Sequence, residues 1–178
     1  MRILGVSGSL RARSSNAALL KALGGLTPEG MTLIMAAPLD RLPHFNPDLE
    51  EPAAPAAVQS WRAELAAADG IYICSPEYAF GMPGVLKNAL DWDVSSGSIY
   101  RKPVALINAS PNHGGGLKAQ ASLVQTLTAM SAQLVESAFV SVPGVYKKLN
   151  ERGELLDPGT EEALRQSLRA MAAAVRPA

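Results

Sequence analysis

Nine residues near the start, Gly8-Ser9-Leu10-Arg11-Ala12-Arg13-Ser14-Ser15-Asn16, gather three hydroxyls, an amide and two guanidinium groups. They follow a short apolar run and precede a helical pattern. Free backbone N–H groups and the positive end of a helix dipole therefore converge on Ser9, Arg11, Ser14, Ser15 and Asn16. That is the chemistry of a phosphate cradle. There is one glycine and no Gly-Lys-Ser/Thr, so neither a dinucleotide fingerprint nor a nucleoside-triphosphate loop is present, and one terminal phosphate fits better. The same residues have plainer roles: Ser14 or Ser15 would cap the helix, and Gly8 would turn the chain.

Two further loops have a comparable composition. Ser75-Pro76-Glu77-Tyr78-Ala79-Phe80-Gly81-Met82-Pro83-Gly84 sets two aromatics and a methionine between rigid prolines and permissive glycines. Tyr78, Phe80 and Met82 offer flat or polarisable surface to an aromatic ligand, or pack on the sheet edge. Ser110-Pro111-Asn112-His113-Gly114-Gly115-Gly116 is a polar, glycine-rich turn whose N–H groups could approach a ligand edge. His113 either donates to a ring carbonyl or is solvated.

The elements that must carry these loops alternate along the chain. Ile3–Ser7, Met31–Ala37, Ile71–Cys74, Val104–Ala109 and a stretch near Ser137–Val142 read as strands, three of them apolar without alternation and so buried on both faces. Helices are predicted from about Asn16, over 56–68, from Gly84 to Trp92, along Leu117, Ala121, Val124, Leu127, Ser131 and Leu134, and over about 160–175. Pro38–Pro55, with five prolines, reads as a surface loop. Five strands separated by helices imply a parallel sheet covered on both faces, a three-layer doubly wound α/β fold in one domain spanning residues 1–178. Ligands of such sheets sit outside the carboxyl ends of the strands. The three polar loops follow strands one, three and four, at that edge.

Composition removes several function classes. The 178 residues carry 16 basic and 16 acidic side chains, scattered, so no electrostatic footprint points to nucleic acid or an anionic membrane. The single cysteine, Cys74, closes no internal disulfide, builds no cysteine-based metal site and reads as a small core residue. No apolar run reaches the length of a membrane span, and the N-terminal run is too short for a signal peptide. The expectation is a cytoplasmic protein without a metal.

At the three loops the sequence resembles the NADPH-dependent FMN reductase family, which includes quinone and chromate reductases. The family signature Gly-Ser-Leu-Arg-x-x-Ser-x-Asn is matched by Gly8, Ser9, Leu10, Arg11, Ser14 and Asn16. A second signature is matched by Pro76-Glu77-Tyr78 and by Pro83-Gly84-Val85-Leu86-Lys87-Asn88-Ala89-Leu90-Asp91-Trp92. Two departures stand out. Many members have Asn where this chain has Ala79, and the Asn112–Gly116 loop differs from the usual form.

The resemblance implies a flavodoxin-like α/β/α sandwich with strand order 2-1-3-4-5 and bound FMN. It implies that Ser9, Arg11, Ser14, Ser15 and Asn16 hold the phosphate. Pro76, Glu77, Tyr78 and Ala79 would line the ring, and Ser110, His113 and Gly114 would close the other side. The implied activity passes electrons from NADPH or NADH, through the flavin N5, to a small soluble acceptor by ping-pong turnover. No catalytic acid, base or nucleophile is then required of the protein. A homodimer or homotetramer is implied as well. The alternative is a non-enzymatic electron carrier of the flavodoxin type, a class that is strongly acidic, whereas this chain is charge-balanced.

Overall fold

A computed structural model describes residues 1–50, 52–111 and 114–175. One parallel sheet forms its middle layer. The strands are β1 (Arg2–Ser7), β2 (Thr32–Met35), β3 (Gly70–Ser75), β4 (Pro103–Ser110), β5 (Gln133–Leu134) and β6 (Val140–Pro143). Their order is β2-β1-β3-β4-β5, and β6 also pairs with β4. The helices are α1 (Ser15–Gly25), α2 (Ala56–Ala66), α3 (Gly84–Asp91), α4 (Leu117–Ala129) and α5 (Pro158–Val175).

The central strands are apolar on both sides because both sides are covered. Leu4, Val6, Ile71, Ile73, Val104 and Leu106 face α2, α3 and α4. Ile3, Tyr72, Cys74, Ala105 and Ile107 face α1 and α5. Each helix presents a stripe at helical spacing: Leu19, Leu20 and Leu23 on α1, Val58, Trp61 and Leu65 on α2, Leu164, Leu168 and Met171 on α5. Burying each such leucine contributes about 1.5–3 kcal/mol. Trp61 Nε1 donates to Ala89 O at 2.8 Å and ties α2 to α3.

Three expectations are corrected. The second strand is four residues long, since it lies at the sheet edge and pairs only with β1. The predicted fifth strand is two short ladders, because a helical turn at Glu136–Ala138 interrupts it and tucks Ala138 into the core. The long helix ends at Ala129, where Ser131 takes a left-handed φ of 56° and Leu134 passes into β5. Its inward stripe is Ala119, Leu123 and Leu127, while Leu117 is 60% exposed. At the start of this helix Glu77 accepts from the N–H groups of Lys118 and Ala119 at 2.9 and 3.1 Å.

The loops are anchored by polar side chains from neighbouring elements. Asn88 of α3 accepts from Phe45 N at 2.7 Å and donates to Pro43 O at 2.9 Å. Lys102, at the start of β4, donates to the carbonyls of Leu65, Ala66 and Ala68 and so caps the C-terminus of α2. Among the described residues no helix is long and apolar enough to cross a membrane.

Candidate functional site

Order 2-1-3 puts the switch in chain direction between β1 and β3, so the loops after these strands diverge and leave a crevice. The chain enters it tightly. Gly8 N donates to Cys74 O at 2.8 Å, binding the first loop to the end of β3. A Cβ at Gly8 would lie 3.1 Å from both Leu86 Cδ2 and Ser75 Oγ, so glycine permits this approach. Beyond it, Ser9 Oγ accepts from Arg11 N at 3.4 Å. Ser14, extended at φ −81° and ψ 120°, accepts from Ala17 N at 3.2 Å as the N-cap of α1.

These residues open onto a cavity of about 170 Å³ lined by Ser9, Arg11, Ser14, Ser15, Asn16, Pro76, Glu77, Tyr78, Ala109, Ser110, Pro111, Val145 and Tyr146. Nine of the residues expected from sequence meet here: Ser9, Arg11, Ser14, Ser15, Asn16, Pro76, Glu77, Tyr78 and Ser110. Ala79 and Gly114 do not line the cavity. His113 lies outside the described residues. Gly115 and Gly116, at φ +60° and +78°, turn the chain into α4. Gly115 O accepts from Ser141 Oγ at 3.2 Å, so this glycine also serves the joint between that turn and β6.

Val145 and Tyr146 were not foreseen. They follow Gly144, which turns the chain after β6 at φ 60°. Arg11 Nη1 donates to Tyr146 Oη at 3.4 Å, and this bond raises the Arg11 pKa above its ordinary value. Glycine after a strand was the available signal, but nothing in one tyrosine told which loop it would reach.

The polar end of the cavity is suited to an anion. The N–H groups of Ser15 and Asn16 donate to no described residue. Asn16 is 5% exposed, and its Oδ1 accepts from the Cys74 thiol at 3.4 Å. Its Nδ2 has no partner among the described residues. The one carboxylate of the lining, Glu77, is engaged by the first turn of α4. These observations fit a phosphate monoester: unused donors, a helix N-terminus and a cation, with the sole acid directed elsewhere.

The second loop forms the rim. Tyr78 and Gly81 exchange backbone hydrogen bonds at 3.1 and 3.0 Å across Ala79 and Phe80, whose φ values are 49° and 63°. This is the turn that ordinarily takes Asn-Gly. It holds Ala79 away from the cavity and leaves Phe80 79% exposed. Cys74 is fully buried, and burial pushes its thiol pKa upward, so it stays protonated and unreactive. Among the described residues Asn108, buried on β4, has no hydrogen-bond partner for either side-chain polar atom. Among the described residues no group of three or more His, Cys, Asp or Glu side chains could hold a metal ion.

A family model described as NADPH-dependent FMN reductase matches residues 1–147. An NAD(P)H-dependent FMN reductase of Pseudomonas aeruginosa is 35% identical over 178 residues, covering 99% of this chain and 96% of that protein. A quinone reductase of Escherichia coli K12 is 29% identical over 174 residues, covering 96% and 93%. Among solved structures, FerB, an NAD(P)H:(acceptor) oxidoreductase from Paracoccus denitrificans, superposes with a TM-score of 0.88 at 27% identity, covering 98% of this chain and 96% of that one.

Proposed function

Because the chain belongs to the NADPH-dependent FMN reductase family, a family of flavin-dependent oxidoreductases using FMN and a reduced nicotinamide, we propose that it reduces a small soluble acceptor of the quinone or flavin type. The observation that carries this reading is the cavity itself, where unpaired donors at the start of α1 meet the aromatic rim at Tyr78 and Tyr146.

Ser9, Arg11, Ser14, Ser15 and Asn16 would hold the phosphate of FMN. Ser14 is able to do so while capping α1, because its oxygen accepts from Ala17 N and its O–H remains free to donate. Pro76, Glu77 and Tyr78 would position the ring from one side and Ser110 from the other. When bound, FMN supplies hydride acceptance and onward electron transfer. The protein's part is to bind, orient and shield, and no side chain need move a proton. Tyr78 and Tyr146, 51% and 58% exposed, stand at the open side of the cavity. A donor and an acceptor would use that opening in turn, which gives ping-pong kinetics. The family resemblance supports a cytoplasmic homodimer or homotetramer.

The test begins with the visible spectrum of the purified protein and a turnover assay with NADPH, NADH and a benzoquinone. Flavin absorbance with rapid quinone-dependent oxidation of the nicotinamide is expected. A flavin-loaded protein that oxidises neither nicotinamide would make it an electron carrier instead. Heat-released cofactor should run as FMN, and FAD as the main species would refute the single-phosphate site. Initial rates should give parallel double-reciprocal lines, whereas intersecting lines would mean a ternary complex.

A further inference from the structure

We propose that Cys74 is a positioning residue for the anion site: its thiol fixes the Asn16 amide so that the NH₂ group, and not the carbonyl, is presented to the cavity. The inference rests on the reading of Ser9–Asn16 as the phosphate cradle.

An asparagine amide offers opposite chemistry at its two ends, two donors on Nδ2 and an acceptor on Oδ1. Toward an anion, one end attracts and the other repels. Asn16 sits at the start of α1, nearly buried and in the cavity lining, so whichever end faces inward is a fixed part of the site. Its only described partner is Cys74 Sγ, at 3.4 Å from Oδ1. A thiol in this position is a donor, since sulfur accepts only weakly and no base lies beside it. Complete burial keeps the proton on the sulfur. With the thiol donating, Oδ1 is held at the end of β3 and Nδ2 is left for the cavity. The β1–β3 ladder sets the distance: Ser7 pairs with Cys74, and Gly8 N bonds Cys74 O, so the first loop is tied to the strand end that carries the thiol. A cysteine that reads as core filling thereby determines the sign of a contact on the neighbouring element.

The test is binding of FMN and of riboflavin, which lacks the phosphate, to the flavin-free protein, read by quenching of flavin fluorescence. Cys74→Ala and Cys74→Val both remove the donor, the second with more bulk. Cys74→Ser keeps a donor. We expect the two non-donors to weaken FMN binding by about three- to tenfold and leave riboflavin within about twofold, with the serine variant restoring most of the FMN affinity. Combining Cys74→Ala with Asn16→Ala should cost no more than Asn16→Ala alone, because the thiol acts only through that amide. Equal losses for FMN and riboflavin, or additive losses in the double variant, would reduce Cys74 to packing and overturn the proposal while the phosphate site stood. Equal binding of FMN and riboflavin by the unaltered protein, with no effect of Asn16→Ala on their ratio, would overturn the proposal and the phosphate reading together.

Discussion

Arg11 Nη1 and Tyr146 Oη lie 3.4 Å apart, joining the loop after β1 to the loop after β6 across the cavity. The bond favours the charged guanidinium and keeps its head near the polar end of the site. Both side chains are exposed, so solvent screens the interaction and its effect is small. Arg11→Ala is expected to weaken FMN by about two- to fivefold and riboflavin not at all. Tyr146→Phe should weaken FMN less than Arg11→Ala does. Fluorescence titration with the two flavins checks both. A Tyr146→Phe loss equal for both flavins would place the tyrosine on the ring and not on the arginine.

Ser14 combines two roles that one substitution can separate. Aspartate is as good a helix cap as serine, but its charge opposes a phosphate. Ser14→Asp is therefore expected to keep the melting temperature while weakening FMN by at least about tenfold and sparing riboflavin. Ser14→Ala should cost about 1 kcal/mol of stability as well as FMN affinity. If Ser14→Asp binds FMN normally, the hydroxyl is a cap and nothing more.

Lys102 donates to three carbonyls at and just beyond the end of α2, where Leu65 O also accepts from Ala68 N at 3.3 Å. Lys102→Met keeps the aliphatic stem and removes the donors. A loss of about 1–3 kcal/mol in a denaturant melt is expected, with cofactor affinity unchanged because the site is at the other end of the sheet. A melt within about 0.5 kcal/mol of the parent would show that water replaces the ammonium at no cost.

Stability should fall in acid, and part of the loss traces to one helix start. The Asp157 carboxylate accepts from the hydroxyl and the N–H of Thr160, which hold its pKa below the usual carboxylate range, with Lys148 assisting. Glu50 is held low by Arg62 and then by Ser95. A carboxylate whose folded pKa is depressed stabilises fully above its unfolded value and loses that contribution as pH falls toward the folded one. Melting temperature should thus be flat down to about pH 5 and drop below about pH 4. Asp157→Asn, which still caps α5, should show a shallower drop. Parallel profiles would remove Asp157 from the account.

Much of this was legible in the chain because the carriers are local. Apolar runs without alternation located the buried strands, and polar loops after them located the site edge. What escaped has long-range causes. Tyr146 joins Arg11 from 135 positions away, through a turn placed by β6. The first turn of α4 is held by Glu77, 41 residues before Lys118, a contact that the spacing of apolar residues within the helix does not reveal. The fifth strand reads as continuous in the sequence because a helical turn of three residues leaves little trace in hydropathy. The motif groups Ala79 with its neighbours, whereas in the structure it sits in a turn at positive φ and is not part of the cavity lining.

That turn gives the protein two thermal limits. A residue other than glycine held at positive φ costs on the order of 1–3 kcal/mol, and Ala79 and Phe80 are two in succession, with the phenyl ring largely in water. Among the described residues, two backbone hydrogen bonds close the turn, and the Glu77 link to α4 and the packing of Met82 on the core flank it. The sheet beneath has no such weakness. On slow heating, turnover should therefore decay several degrees before the far-ultraviolet dichroism changes, and recover on cooling. Four residues at the rim would then set the temperature at which turnover is lost, and the whole of the core the temperature at which the chain unfolds.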